Sequence, residues 1–190
     1  MSTLAARRRH PASLFVVLLL ALVVTGGLYA AFAPKSAKAE TTSASDVNAG
    51  KQLFLANCST CHGTNATGTS AGPSLVGVGA AAVDFQVGTG RMPLAAPNTQ
   101  AQRNTKQFSD KEIAQMAAYV ASLGTGPNVP EKQYTTPGGN SAKGGELFRV
   151  NCAMCHNFAG SGGALTRGKY APPLTSVSGK HIYEAMQTGP

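Results

Sequence analysis

Two pentapeptides with the pattern Cys-x-x-Cys-His limit what this chain can fold into more than any other feature. They occupy residues 58–62 (CSTCH) and 152–156 (CAMCH). In this pattern the two thiols add across the vinyl groups of haem, and the adjacent imidazole becomes the proximal ligand of the iron. One helical turn between the cysteines places both sulfurs along one edge of the porphyrin. The chain is therefore predicted to carry two covalently bound haem c groups.

The Cys-x-x-Cys spacing alone also occurs in zinc half-sites and in redox-active dithiols. All four cysteines of the chain lie in the two pentapeptides, and a histidine directly follows each pair. This repetition favours haem attachment over both alternatives. The predicted attachment positions and proximal iron ligands are Cys58, Cys61 and His62 in the first motif and Cys152, Cys155 and His156 in the second.

The composition predicts small hydrophobic cores, to which a bound cofactor adds apolar volume. The 190 residues include no Trp and only 6% aromatic residues, which makes thin cores for two small domains. Two buried porphyrins supply the missing apolar volume. The net charge is +8, from 16 basic and 8 acidic residues, but no basic run with interleaved aromatic residues occurs in the body of the chain. Binding of nucleic acid is therefore not expected.

The N-terminal part has the pattern of a membrane anchor. Residues 14–33 are almost wholly apolar, and an arginine triplet at 7–9 precedes them. About 20 such residues cross a bilayer, and the positive-inside rule keeps the basic segment 1–13 in the cytoplasm. A tether, residues 34–45, follows. The alternative is a cleaved signal peptide, because residues 37–39 (AKA) match a cleavage site. Both interpretations place the haem domains on the extracytoplasmic side of the plasma membrane.

Residues 46–124 form the first predicted haem domain. Leu53, Phe54 and Asn57 have helical spacing and lead into the first motif. Pro73 lies in the loop that follows the motif. Its carbonyl group can accept a hydrogen bond from the proximal imidazole, although an ordinary loop proline is an equal alternative.

Met92 is the predicted distal iron ligand of the first haem. It lies 30 residues after His62, in a loop rich in Gly and Pro that lacks helical periodicity, so a core-filling role is less favoured. A His/Met pair leaves the iron six-coordinate and raises its reduction potential. Met116, by contrast, has apolar neighbours at helical spacing and is predicted to be a core residue. Its helix begins with a capping box at 109–112 (SDKE) and stops at Gly124.

The second half of the chain repeats the first. A linker, residues 125–142, leads to a second predicted haem domain, residues 143–190, and we expect an all-α fold with two homologous domains. Up to the second motif the repeat has a constant offset of 94 residues, and beyond it an offset of 99. Five residues are therefore inserted between positions 160 and 170. The matched pairs are Gly50 with Gly144, Leu53 with Leu147, Phe54 with Phe148, Asn57 with Asn151, Pro73 with Pro172, and Leu75 with Leu174.

The repeat places the counterpart of Met92 near position 191, just past Pro190. We therefore expect the chain to be an N-terminal piece of a longer protein, with the distal ligand of the second haem beyond Pro190. Within the chain, Met186 aligns with Val87 and is predicted to be a core residue. His181 is predicted to be a solvated surface histidine rather than a haem ligand.

The order of these features resembles the dihaem cytochrome c subunit of the actinobacterial cytochrome bc complex, a menaquinol–cytochrome c reductase. The likeness covers essentially the whole chain. It implies an all-α protein with two tandem class I cytochrome c domains after an N-terminal transmembrane helix. The stretches that carry it are residues 50–54 (GKQLF), 72–79 (GPSLVGVG), 89–93 (TGRMP), 151–158 (NCAMCHNF), 162–165 (GGAL) and 168–172 (GKYAP).

The resemblance also implies a function. Electrons leave the Rieske iron–sulfur and cytochrome b subunits, pass through both haems and reach an aa-type terminal oxidase. The implied partners are therefore these subunits, the oxidase and membrane lipid, and the chain is not expected to be catalytic alone. Candidate docking charges for an acidic partner are Lys51, Arg91, Arg149 and Lys169.

Two other functions stay open at this point. One is the cytochrome subunit of a periplasmic dehydrogenase, which differs only in its electron donor. The other is a dihaem peroxidase, which needs a catalytic base beside an open iron. The carboxylates nearest the second motif are Glu146 and Glu184. Neither has a His or Arg at a sequence position that would indicate a catalytic pair. This argues against the peroxidase.

Overall fold

A computed structural model describes residues 11–32, 43–136 and 138–189 of the chain. The chain divides into two compact units, Met1–Lys38 and Ala39–Pro190. The first unit contains one long apolar helix, and the second contains both Cys-x-x-Cys-His motifs. Apart from two strands of two residues each, the regular structure of the described residues is helical, so the predicted all-α class is confirmed.

Helix α1, Pro11–Phe32, is the predicted anchor. Its segment Ala12–Tyr29 has a mean hydropathy of 2.4. Large apolar side chains are exposed along it, Leu22 by 70% for example. By length and composition this helix can cross a membrane, and a signal sequence has the same properties. Most of the predicted tether falls on residues 33–42, which lie outside the described residues.

The first lobe, which we define as residues 43–127, contains helices α2 (Ala44–Asn57), α3 (Ser59–His62), α4 (Gly79–Gly88) and α5 (Asp110–Ser122). Helix α2 begins two residues before the predicted boundary, because the Ser43 side chain caps it by accepting a hydrogen bond from the Asp46 N–H. Helix α5 begins with the predicted capping box, in which Ser109 and Glu112 satisfy each other's backbone N–H groups.

The apolar faces of α2, α4 and α5 enclose the core of the first lobe. Phe54 and Met116 are only 1% and 3% exposed, and the ring of Tyr119 lies 5.2 Å from that of Phe54. The prediction that Met116 is a core residue is therefore confirmed. Helices α2 and α5 come closest at Gly50, where a Cβ atom would lie 1.9 Å from the carbonyl oxygen of Gln115. Only glycine permits this approach of two backbones.

The second lobe, which we define as residues 138–189, contains helices α6 (Ser141–Asn151), α7 (Ala153–His156) and α8 (Gly179–Thr188). The predicted linker before it includes a 3-10 helix, Lys132–Tyr134. Helix α6 begins two residues before the predicted domain boundary, because the Asn140 side chain accepts a hydrogen bond from the Lys143 N–H.

The hydrogen bonds of the two lobes follow the sequence repeat. In both motifs the first cysteine donates its N–H to the residue four positions earlier, at 2.8 Å. The loop after each motif closes in the same way, since Leu75 donates to Ala66 at 2.8 Å and Leu174 donates to Gly160 at 2.7 Å. Both acceptor residues have a positive φ, 57° at Ala66 and 68° at Gly160.

The extra residues of the second lobe lie in a β-hairpin. Strand β1 (Gly163–Ala164) pairs antiparallel with β2 (Tyr170–Ala171), and a 3-10 turn, Thr166–Gly168, lies between them. The sequence indicated the insertion but not the strands. Strands of two residues are too short to produce an alternating pattern.

The lobes meet where α8 packs against α4. His181 and Glu184, three residues apart, mark the side of α8 that is buried in this contact. Met186 is 68% exposed, so the prediction that it is a core residue is wrong. It lies two positions after Glu184 and therefore on the opposite side of the helix.

We predict opposite effects for alanine at two glycines that the repeat relates. Gly50→Ala should lower the free energy of unfolding by about 1–3 kcal/mol, because the new methyl group forces α2 and α5 apart. Gly144→Ala is the matched control, since no atom of another described residue lies within 4 Å of its Cβ position. It should be neutral or gain up to about 1 kcal/mol from helix propensity. Denaturant unfolding of the 190-residue chain measures both, and equal effects would contradict the prediction.

Candidate functional site

The first motif folds as one short helical turn at the end of α2. Cys58 separates α2 from α3, and the His62 N–H donates to the Cys58 carbonyl group at 3.0 Å. The turn ends at Gly63, whose φ is 78°, and the next loop returns to it through a hydrogen bond from the Gly68 N–H to the His62 carbonyl group at 2.8 Å. This geometry carries Cys58, Cys61 and His62 to the wall of one cavity.

The carbonyl oxygen of Pro73 orients the imidazole of His62. The oxygen lies 2.7 Å from Nδ1, and because a carbonyl oxygen can only accept, Nδ1–H is the donor. Nε2 is then the unprotonated nitrogen, which is the state that binds a metal. The side chain is 9% exposed, so water has little access to this hydrogen bond. The predicted role of the Pro73 carbonyl group is confirmed.

The second motif repeats this arrangement. His156 ends the turn of α7, and its Nδ1 donates to the Pro172 carbonyl oxygen at 2.8 Å. Pro172 is the residue that the repeat aligns with Pro73. The second imidazole is therefore held in the same tautomer, with Nε2 available.

Both motifs open into one continuous cavity of about 870 Å³. The two cysteine pairs, both motif histidines and Met92 contribute to its wall. The remaining lining includes apolar side chains from both lobes, such as Leu94, Leu165, Leu174, Val177 and Ile182. A largely apolar cavity whose wall carries paired thiols and an imidazole with a free Nε2 fits a covalently attached porphyrin at each motif.

Met92 reaches this cavity from the loop after α4. The N–H groups of Arg91 and Met92 both donate to the Gln86 carbonyl group, at 2.8 and 3.0 Å, which fixes the start of the loop. The Met92 side chain is half-buried against the core of the first lobe. Its sulfur is a soft neutral donor of the kind that a haem iron takes as a sixth ligand.

The thiol of Cys58 does not have the environment of a redox-active dithiol. All four cysteines are free thiols. Burial, followed by the neighbouring Cys61, raises the pKa of the Cys58 thiol, whereas redox-active dithiols have lowered thiol pKa values.

Of the four candidate docking charges, three are exposed and one is not. Lys51, Arg149 and Lys169 lie at the surface. Arg91 is half-buried, and its guanidinium group stacks 4.7 Å above the centre of the Phe85 ring. Burial, followed by Arg103, lowers the pKa of Arg91. This residue packs the wall beside Met92 rather than presenting a free charge to a partner.

The environment of His181 and Glu184 differs from the sequence prediction. His181 is half-buried between the lobes and contacts Phe85 edge-on, with ring centres 6.2 Å apart, so it is not a solvated surface residue. Glu184 is fully buried, and it has His181 and Asp84 as companions. His181 precedes Glu184 by about one helical turn, so the sequence could have indicated this pair, whereas Asp84 belongs to the other lobe and could not be inferred.

Gln100 joins the first lobe to the β-hairpin of the second and was not predicted. Its side-chain amide donates to the Tyr170 carbonyl group and accepts from the Tyr170 N–H, both at 2.8 Å. It therefore extends the edge of strand β2 as another peptide group would. A glutamine in a loop carries no sequence signal for such a contact.

A comparison with known families matches residues 47–124 to the cytochrome c family. The match covers the first motif, the Pro73 loop, Met92 and helix α5. It begins within α2 and ends two residues after α5, so it coincides closely with the first lobe.

Curated relatives extend the similarity to the second lobe. A protein of Mycobacterium tuberculosis (strain ATCC 25618 / H37Rv), named cytochrome bc1 complex cytochrome c subunit, is 46% identical over 193 residues, which cover 97% of this chain and 69% of the relative. Proteins of the same name from Mycobacterium leprae (strain TN) and Corynebacterium diphtheriae are 45% and 40% identical. These two alignments cover 92% and 97% of this chain and 64% and 73% of the relatives.

We predict that Gln100→Ala loosens the contact between the lobes. The variant loses two hydrogen bonds of about 0.5–1.5 kcal/mol each, so the free energy of unfolding should fall by about 1–3 kcal/mol and the hairpin should become more sensitive to protease. Gln102→Ala is the matched control, because the Gln102 side chain makes only a 3.4 Å contact with Gln100. Equal protease sensitivity of the two variants would rule out the bridging role.

Proposed function

The chain belongs to the family of cytochrome c subunits of the cytochrome bc1 complex, and from this membership we propose that it relays electrons from the Rieske iron–sulfur and cytochrome b subunits to an aa-type terminal oxidase. The observation that carries the relay is the continuous cavity that both motifs line. Two cofactor sites that share one cavity permit transfer within the chain.

The chain binds covalently attached haem c, and we assign one group to each lobe. The thiols of Cys58 and Cys61 hold the first, and those of Cys152 and Cys155 hold the second. His62 and His156 are the proximal ligands, which is supported by the free Nε2 that each Pro carbonyl group leaves. Met92 is the distal ligand in the first lobe.

Haem supplies a one-electron iron couple when bound. The side chains of the chain determine the surroundings of that couple. The hydrogen bond from His62 to Pro73 keeps the imidazole in one orientation and raises its basicity. The imidazole of His62 is buried, which limits the access of water to it, and the Met92 thioether would supply the sixth ligand of the iron. Such a set of ligands would suit electron transfer.

Helix α1 anchors the subunit, and we propose that both lobes lie on the extracytoplasmic side. The arginine triplet before α1 supports this orientation through the positive-inside rule. The anchor keeps the lobes near membrane-bound partners, so the local concentration of the carrier stays high without a diffusing cytochrome.

The haem assignment predicts two haem groups per chain. The double variant Cys58→Ser/Cys61→Ser and the double variant Cys152→Ser/Cys155→Ser should each retain one. Intact mass and the pyridine haemochrome spectrum of the denatured protein count the attached groups. Thr60→Ala lies inside the first motif and should retain both. One haem in the unchanged protein would contradict the assignment.

The relay predicts that the Met92 sulfur is needed for quinol oxidation at the normal rate. Met92→Leu should lower the reduction potential of one haem by at least about 60 mV, a tenfold change in a one-electron equilibrium. It should also slow quinol-driven oxygen consumption by membranes in which it replaces the native subunit. Met116→Leu is the matched control, because this buried methionine packs the core and the change nearly conserves volume.

Oxygen consumption at the normal rate in the Met92→Leu membranes, with an unchanged potential, would contradict the assignment of the ligand. A lowered potential with no effect on transfer from quinol to the oxidase would instead contradict the relay. In that case the chain would receive its electrons from a different donor, and a periplasmic dehydrogenase is the donor to test next.

A further inference from the structure

A cluster of metal-ligand side chains lies between the lobes, and one of its members, His181, also lines the cavity that carries the two motifs. Asp84 comes from α4, and His181 and Glu184 come from α8. One ligand atom from each lies within 4.8 Å of the other two. The two residues on α8 are three positions apart and therefore share one face, which is the face that packs on α4.

The carboxyl group of Glu184 is the most buried group of this cluster. Its side chain is 0% exposed, and neither carboxylate oxygen accepts a hydrogen bond from a donor among the described residues. Burial, followed by the neighbouring carboxyl group of Asp84, raises the pKa of Glu184 to about 9. A buried carboxyl group without a partner is costly, and it needs either a proton or a cation.

From this arrangement we propose that Asp84, His181 and Glu184 form a divalent metal site, best suited to Zn²⁺, that joins the two lobes. The proposal does not depend on the role of the chain in electron transfer. Two carboxylates and one imidazole are ligands that Zn²⁺ accepts, with a water molecule completing a tetrahedral site. The two carboxylates neutralise the charge of the ion.

The three ligand atoms have to move closer together to bind a zinc ion. Ligand atoms at about 2.1 Å from a tetrahedral zinc ion lie about 3.4 Å apart, whereas the cluster spans up to 4.8 Å. Binding would therefore need a movement of about 1.4 Å at most between ligand atoms, for which the side-chain bonds of Asp84 and Glu184 supply rotational freedom. Burial, followed by Lys180, lowers the pKa of His181, which keeps the imidazole neutral and able to bind a metal.

Lys180 is the cation that competes with the metal. Its ammonium nitrogen lies 2.5 Å from Asp84 Oδ2, and its side chain is 39% exposed. Binding of Zn²⁺ would therefore displace Lys180 into solvent. The other charges that face the cluster are Arg91 and Arg103, which act on His181 from the first lobe. Removal of the Lys180 charge should thus strengthen metal binding, which a purely structural ion pair does not predict.

The test uses the haem-loaded full chain in detergent, without a polyhistidine tag and stripped of metal with EDTA. Titration with Zn²⁺ in a calorimeter, and zinc analysis after gel filtration, measure affinity and stoichiometry. We expect one zinc ion per chain that is lost, or bound at least about tenfold more weakly, in Asp84→Asn, His181→Gln and Glu184→Gln. Lys180→Met should bind it more tightly.

Glu146→Gln is the matched control, because Glu146 is an exposed carboxylate paired with a lysine at 3.0 Å in the second lobe, with 60% of its side chain exposed. It should bind zinc like the unchanged chain. The haem absorption spectrum of each variant before the titration reports its integrity. Equal zinc binding by Glu146→Gln and Glu184→Gln would overturn the proposal. So would weaker binding by Lys180→Met.

Discussion

The hydrogen bond from a motif histidine to a proline carbonyl group is the contact on which each lobe depends. It joins the short helix that carries the cysteines to the loop that returns beside it, 11 residues later in the first lobe and 16 in the second. Because the carbonyl oxygen can only accept, this contact selects the tautomer that leaves Nε2 for iron. The five-residue difference between the two loops is absorbed by the β-hairpin, so the second lobe keeps the contact in spite of the insertion.

The same contact recurs in both lobes together with the hydrogen bonds of the motif turn. In each lobe the first cysteine of the motif donates its N–H to the carbonyl group four residues earlier, and the motif histidine donates its N–H to the carbonyl group of that cysteine. The loops that follow differ in length, yet both return to place a proline carbonyl oxygen beside the imidazole. The two motifs therefore have the same local geometry.

Local features of the structure could be predicted from the sequence, and distant contacts could not. The motif turns, the capping box at Ser109 and the helical spacing around Met116 are patterns within a few residues. The contact between His62 and the Pro73 carbonyl group could also be predicted, because the two residues are close in the sequence and the imidazole N–H needs a hydrogen-bond acceptor. Gln100 and Tyr170, by contrast, are 70 residues apart and meet only because two lobes pack together. Met186 was misassigned because the repeat aligned it with a buried residue, although the buried face of α8 is the one that meets the other lobe.

The contact between α4 and α8 buries charged and titratable groups. An apolar contact surface would cost less free energy to bury. Replacement of buried polar groups by apolar ones is often neutral or stabilising, so a buried Glu184 beside Asp84 and Lys180 is not explained by stability alone. The ion pair of Lys180 with Asp84 restricts the contact to one arrangement, because a displacement of α8 along α4 would separate the two charges. The two lobes share a cavity, and any rotation between them would change the distance between the motifs on its wall. A polar contact that fixes the lobes in a single orientation therefore keeps the distance between the two motifs constant, which is a condition for the proposed transfer between two haems.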